Sequence, residues 1–200
     1  CIRDRMGSVS PVNFAQGDFL QKVKERVIVP TVQGLKKDKI DYKGFIFIGL
    51  MNVNGDPYVI EYNVRMGDPE TQVVMPRIQS DLVALMVSTA TGKLKDFELK
   101  IEDKTAATVV MVAGGYPEKY EKGDLISGLQ APSDQSIIFH AGTKAENKQI
   151  VTNGGRVLAV TGMGNSMQEA LDTSYDLVSQ IFWKDVYFRK DIGHDLMLLE

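Results

Sequence analysis

The step Asn54-Gly55 restricts the fold of this chain more than any other feature, because it lies between two β-rich runs, "KGFIFIGLMNV" (43–53) and "PYVIEYNV" (57–64). A tight two-residue turn needs positive φ at both central positions, which Asn and Gly supply at low cost, so the step predicts an antiparallel hairpin. Side chains alternate along a strand, so Glu61, Asn63 and Arg65 fall on one face and Ile60, Tyr62 and Val64 on the other. At ~3.3 Å rise per residue, the Cα atoms of Glu61 and Asn63 are about 6.6 Å apart. That distance suits two oxygen donors converging on a hard cation such as Mg²⁺, which takes one or two protein ligands and completes its shell with water and phosphate oxygens. Arg65 on the same face would neutralise phosphoryl oxygens. An ion pair between Glu61 and Arg65 on a solvated strand face explains the same spacing. Spacing alone leaves both readings open.

The rest of the chain alternates helical and β-rich signals. In "GDFLQKVKERVIVPTVQGLKKD" the apolar residues Phe19, Leu20, Val23 and Val27 mark one helical face, and Pro30 is expected to break or kink the helix, leaving a short second piece over 31–37. Ser80 is expected to N-cap a helix through "DLVALMVSTAT", with Gly92 ending it. Charge density rises over Leu94–Lys104, and a domain boundary is placed there, giving domains 1–100 and 101–200. Beyond it come short β-rich runs, "TAATVVMVAG", "SIIFHAG", "QIVTNG" and "RVLAVTGMG", separated by turn residues, which predict a small sandwich or barrel-like sheet. "NGGR" (153–156) reads as a hairpin, with Arg156 as an anion-binding candidate. His140, in an apolar strand, reads as a hydrogen-bonded structural histidine. Ser166 and Glu169 form a capping box opening a final helix to Trp183, with Leu171, Ser174, Val178 and Ile181 inward. The fold class is therefore α+β.

Composition removes several function classes. A net charge of −3, divided as +1 over residues 1–102 and −4 over 103–200, lacks the basic excess on which nucleic-acid binding relies. The longest apolar run, "GFIFIGLM", is far short of the roughly 20 residues of a spanning helix, so no membrane role is expected. Cys1 is the only cysteine, which excludes an intrachain disulfide and a Cys-based zinc site and fits a reducing cytoplasm. No charged-then-apolar leader opens the sequence.

The longer string "EYNVRMGDPETQ" resembles, almost letter for letter, a motif of the phosphoribosylamine–glycine ligase family, the glycinamide ribonucleotide synthetases of the ATP-grasp superfamily. The similarity continues through "YKGFIFIGLM", "GGYP", "HAGT", "TNGGRVLAVT" and "FRKDIG" in the family's order. The resemblance implies the C-terminal half of an ATP-grasp core followed by a small β-rich domain. It implies ligation of glycine to 5-phosphoribosylamine through a glycyl phosphate, with ATP as co-substrate, in purine biosynthesis. It further implies that Glu61 and Asn63 hold Mg²⁺ or Mn²⁺ and that Arg65 stabilises the transferring phosphoryl group. Asp68 and Glu70 are then candidates to meet a substrate amine or orient Arg65, although capping of a helix near Pro69 explains them equally. "MGSVSP" is similar to the end of a Gly-rich family loop, which makes Gly7, Ser8 and Ser10 contact candidates; "CIRDR" departs from that loop and carries no role.

The family's N-terminal domain and the nucleotide-clamping lid have no counterpart in these residues. The chain is thus expected to need that N-terminal portion as its partner, and to show little or no turnover alone. Two other classes compete. One is a non-catalytic carrier module, which would present a modifiable Lys at a hairpin tip where "NGGR" has none. The other is an ATP-grasp ligase for a different acid and amine.

Overall fold

A computed structural model describes residues 5–131 and 133–197; Cys1 and the start of "CIRDR" lie outside the described residues. In chain order the elements are β1 (Gly7–Ser10), α1 (Gly17–Val23), a π-helical stretch Lys24–Ile28, α2 (Val29–Lys37), β2 (Phe47–Val53), β3 (Asp56–Asn63), α3 (Thr71–Val74), α4 (Leu82–Ala90), β4 (Thr105–Val112), β5 (Ser136–His140), β6 (Thr143–Glu146), β7 (Gln149–Thr152), β8 (Arg156–Gly164), α5 (Met167–Val178) and α6 (His194–Met197). Antiparallel sheets with packed helices bear out the α+β expectation. The described residues form two compact units, each assembled from separated stretches: unit 1 from 5–11, 68–77 and 102–197, unit 2 from 12–67 and 78–101.

Unit 1 is built on a four-stranded antiparallel sheet in the order β1-β4-β8-β5, with α5 packed on β4 and β8. β4 and β8 are buried almost end to end, which explains their near-continuous apolar runs. Ser174 fastens the helix to the sheet: its Oγ donates to the Ala107 carbonyl at 2.8 Å and accepts from Gly162 N–H at 2.7 Å. Ser166 caps α5 by accepting from Glu169 N–H at 3.2 Å, as its spacing predicts. The helix stops at Val178, not Trp183, because Phe182 pairs in strand fashion with Ser127, while Ile181 and Trp183 still reach the core.

β6 and β7 form a separate hairpin whose tip, Asn147-Lys148, has φ of 49° and 64°. "NGGR" is accordingly not a hairpin: β7 pairs with β6, β8 pairs with β4 and β5, and the turn links two sheets. The short β1 and β6 carry no periodic signal in the sequence. His140 is exposed, its Nδ1 3.0 Å from Thr143 Oγ1.

In unit 2, β2 and β3 form the hairpin set by Asn54-Gly55, both at positive φ (53° and 83°). Lys22 Nζ donates to Gly55 O and to Asp56 Oδ1, both at 2.8 Å, and Arg26 Nη1 reaches Asp56 Oδ1 at 3.0 Å, so the first helical segment holds the hairpin tip. The helical path does not end at Pro30. It runs on into α2, with the wider π-helical turns directly before the proline, where Val29 N–H reaches back to Lys24 O. α4 is capped by Asp81, whose Oδ1 accepts from Ala84 N–H at 2.7 Å, and not by Ser80. Ser80 instead accepts from Lys100 N–H at 2.7 Å. Gly92, at φ 71°, closes α4 as expected. No helix among the described residues is long and apolar enough to cross a membrane.

Candidate functional site

The β2–β3 hairpin fixes the first group of candidates. Register pairs Gly49 with Glu61 and Phe47 with Asn63, and directly opposed residues share a face. Glu61 and Asn63 meet: Asn63 Nδ2 donates to Glu61 Oε1 at 2.9 Å. Arg65 does not extend this row, since β3 ends at Asn63. Beyond the strand, Tyr42 ties the following segment to the chain before β2, its hydroxyl lying 2.6 Å from Phe45 O and 3.0 Å from Val64 O. Arg65 stands in the bend beyond, exposed, with Nη1 donating to Met66 O at 3.0 Å. Among the described residues no three or more His, Cys, Asp or Glu side chains gather to hold a metal ion, so any cation site here rests on few protein ligands.

The second group lies in unit 1. Arg156 opens β8 and grips Asp68 twice: Nη2 donates to Asp68 Oδ2 at 2.6 Å, and Nη1 to Asp68 O at 3.2 Å. Gln72 Nε2 donates to Asp68 Oδ1 at 3.0 Å, one helical turn away. Thr161 of β8 holds the same segment, its Oγ1 3.0 Å from Gln72 O. Arg156 is placed in turn by close contact of two loops. Gly142 N–H donates to Arg156 O at 2.9 Å, and a Cβ on Gly142 would stand 2.7 Å from Gly154 Cα, which is why glycines occur there. Asp68, Gln72, Gly142, Arg156 and Leu158 line a pocket of about 280 Å³. Its size admits part of a small ligand, since sites for whole drug-sized molecules run from roughly 300 Å³ upward.

Of the remaining candidates, Glu70 precedes α3 and makes no side-chain cap; its carbonyl accepts from Val73 and Val74 N–H. Ser8 Oγ donates to Pro69 O at 2.9 Å, and Ser10 Oγ accepts from Arg77 at 2.8 Å. A Cβ on Gly7 would lie 2.7 Å from Thr108 O. Sequence reasoning did not find Gln72, although its spacing from Asp68 was visible. It also missed the Arg156–Asp68 pair, which spans 88 residues and leaves no local signal.

Comparison with known proteins adds two matches to domains of one enzyme family. The family model "Phosphoribosylglycinamide synthetase, ATP-grasp (A) domain" matches residues 4–71, and "Phosphoribosylglycinamide synthetase, C domain" matches 106–195. The chain belongs to the phosphoribosylglycinamide synthetase family. It is 44% identical over 191 residues to phosphoribosylamine–glycine ligase of Fusobacterium nucleatum, covering 94% of this chain and 45% of the relative. It is 46% identical over 193 residues to the ligase of Vibrio cholerae, with 94% and 44% covered. Against the bifunctional purine biosynthetic protein PUR2,5 of Pichia angusta it is 44% identical, with 94% and 24% covered. The chain thus spans less than half the length of these synthetase-family relatives.

The crystal structure of phosphoribosylamine–glycine ligase from Thermotoga maritima superposes with a TM-score of 0.81 at 35% identity, covering 93% of this chain and 46% of that one. The biotin carboxylase domain of Hydrogenobacter thermophilus 2-oxoglutarate carboxylase, solved with MgADP, matches at 0.63 and 13% identity, covering 94% and 43%. That second likeness extends the family's fold to a wider group and carries nothing on substrate.

Proposed function

We propose that these residues supply the cation-holding hairpin and part of the substrate site of a phosphoribosylamine–glycine ligase acting in purine biosynthesis. In that reaction the γ-phosphoryl group of ATP passes to the glycine carboxylate, giving glycyl phosphate and ADP. The amine nitrogen of 5-phosphoribosylamine then attacks the acyl carbon, the bond to phosphate breaks and the nitrogen loses a proton, leaving the amide and inorganic phosphate. Residues 1–100 are read as the ATP-grasp half and 101–200 as the C-terminal domain, alongside the two family matches.

The contact between Glu61 and Asn63 supports this reading best. Both offer oxygen donors, as a hard cation requires, and a half-turn of the Asn63 amide puts Oδ1 where Nδ2 stands, 2.9 Å from Glu61 Oε1. Two oxygens bound side by side at about 2.1 Å from an octahedral ion are about 3.0 Å apart. The donor set therefore fits Mg²⁺, with Mn²⁺ as the alternative, and such an ion would neutralise charge on ATP phosphates. Arg65, whose guanidinium is exposed, remains the candidate for the transferring phosphoryl group. The pocket at Asp68 and Arg156 is assigned to 5-phosphoribosylamine: Arg156 suits its phosphate, and Asp68, with Glu70 nearby in sequence, suits its amine. Gly7, Ser8 and Ser10 stay contact candidates only along the outer edge of β1, since its other edge pairs with β4 and both hydroxyls are engaged within the protein.

The carrier alternative gains one feature, Lys148 at the tip of the β6–β7 hairpin, but neither matching family model describes a carrier. A chimera decides the main reading: these residues replace their aligned stretch in the Thermotoga maritima ligase, and ADP release dependent on glycine and phosphoribosylamine is measured. We expect activity in the chimera, a loss of about 100-fold or more with Glu61→Ala, and little or no turnover from the 200 residues alone. An active Glu61→Ala chimera refutes the cation assignment.

A further inference from the structure

We infer that Gly49 is a positioning residue for Glu61, an inference that rests on the cation reading of the hairpin. Glycine inside a strand carries an entropic cost and leaves nothing to pack, so its presence in the apolar run of β2 calls for a cause. Backbone conformation is not the cause, because Gly49 is absent from the residues at positive φ. Space is. Gly49 is paired directly with Glu61, and register shifts beside it, so that Ile60 bulges out between Val59 and Glu61. A Cβ at position 49 would stand 3.1 Å from Glu61 Cγ, while the next atoms, Glu61 N and O, lie at an ordinary 3.7 Å.

A methyl group at this position therefore presses on a single neighbour, and that neighbour is the side chain proposed to bind the cation. Glu61 is exposed and free to turn away, so the backbone of the hairpin tolerates the change. Its carboxylate oxygens sit two bonds past Cγ, and a shift of a few tenths of an ångström at Cγ is enlarged there. The cost falls on the contact with Asn63 at 2.9 Å, which brings the two ligands together. The open surface of Gly49 is thus the seat on which Glu61 lies, and the bulge at Ile60 sets the carboxylate above it.

Mn²⁺ alone is the probe, titrated into the 200-residue chain and followed by the electron paramagnetic resonance of the free ion, with circular dichroism and melting temperature recorded for each protein. Gly49→Ala should fold and melt like the parent yet bind Mn²⁺ about tenfold more weakly, in the range seen when support of a metal ligand is lost. Gly49→Val should bind more weakly still. Glu61→Gln should lose the site, because it removes the anionic oxygen that a hard cation takes. Parent-like binding by Gly49→Ala while Glu61→Gln loses the site overturns the role of Gly49 alone. So does weaker binding matched by a lower melting temperature. No binding by the parent, or full binding by Glu61→Gln, overturns the cation reading and this inference with it.

Discussion

Unit 1 buries its apolar side chains between a four-stranded sheet and a helix, whereas unit 2, in a chain that spans less than half the length of its relatives, leaves most of its own exposed. Among the described residues, Val23, Val27 and Leu85 are the buried apolar residues of unit 2, against a cluster in unit 1 that includes Val109, Met111, Leu158, Leu171 and Trp183. The large exposed apolar side chains show the reverse: all but Val74, Leu125, Phe182 and Tyr187 belong to unit 2. A two-stranded hairpin is at best marginally stable by itself. Yet that hairpin carries Glu61 and Asn63, so stability is concentrated in one unit and the proposed cation ligands lie in the other.

The widest separation is expected from matched core truncations. Leu158, with no exposed surface, should cost about 4–5 kcal/mol as Leu158→Ala, toward the upper end for buried leucines. Leu85, 7% exposed in a unit short of buried neighbours, should cost about 2 kcal/mol as Leu85→Ala, toward the lower end. Because two units need not unfold together, hydrogen exchange is the measurement. Leu85→Ala should accelerate exchange in unit 2 and leave β4 and β8 protected. Equal acceleration in both units would show that the chain opens as one body and would end the contrast.

Legibility in the sequence follows the range of the interaction. The Asn54-Gly55 turn, the runs of β4 and β8, and the Ser166 cap are local and could be read directly. β1, written only as "GSVS", is a strand because β4 pairs with it, and no residue of its own announces that. "NGG" promised a hairpin because a turn signal does not say which strand accepts the chain afterwards. In the candidate site, alternation places Glu61 beside Asn63, but Arg65 lies beyond the end of β3 at Asn63, an end that alternation does not announce. The Asp68–Arg156 pair rests wholly on tertiary structure.

Tyr175 sharpens the contrast from within unit 1. Its hydroxyl donates to Arg189 O at 2.9 Å and accepts from Ile192 N–H at 3.2 Å, tying the C-terminal segment to α5. Tyr175→Phe leaves both backbone groups short of a partner and should cost about 1–3 kcal/mol. Burial, the largest influence, raises the phenol above its ordinary value, and the field of Asp191 adds to this. The unfolded chain therefore loses this proton first, and stability should fall as pH rises above about 10. Tyr175→Phe should flatten that alkaline decline. An unchanged alkaline profile would remove Tyr175 as its source.

The smallest effect belongs to unit 2, at the hairpin tip. Asp56 is held below the usual carboxylate range, first by its hydrogen bond to Lys22 and then by the charges of Lys22 and Arg26. A carboxyl lowered on folding contributes stability above its unfolded value of about 4 and loses it as pH falls through the folded value. Asp56 is open to solvent, so the change should show as looser pairing of the tip and not as unfolding. Amide exchange at Asn54, Gly55 and Asp56, after correction for intrinsic rates, should rise relative to β4 as pH drops from 6 to 3. Asp56→Asn should show the looser tip at every pH in that range. If the variant and parent tips exchange alike at pH 6, the clamp from Lys22 and Arg26 does not hold the hairpin that carries Glu61, and the weak unit depends on its backbone pairing alone.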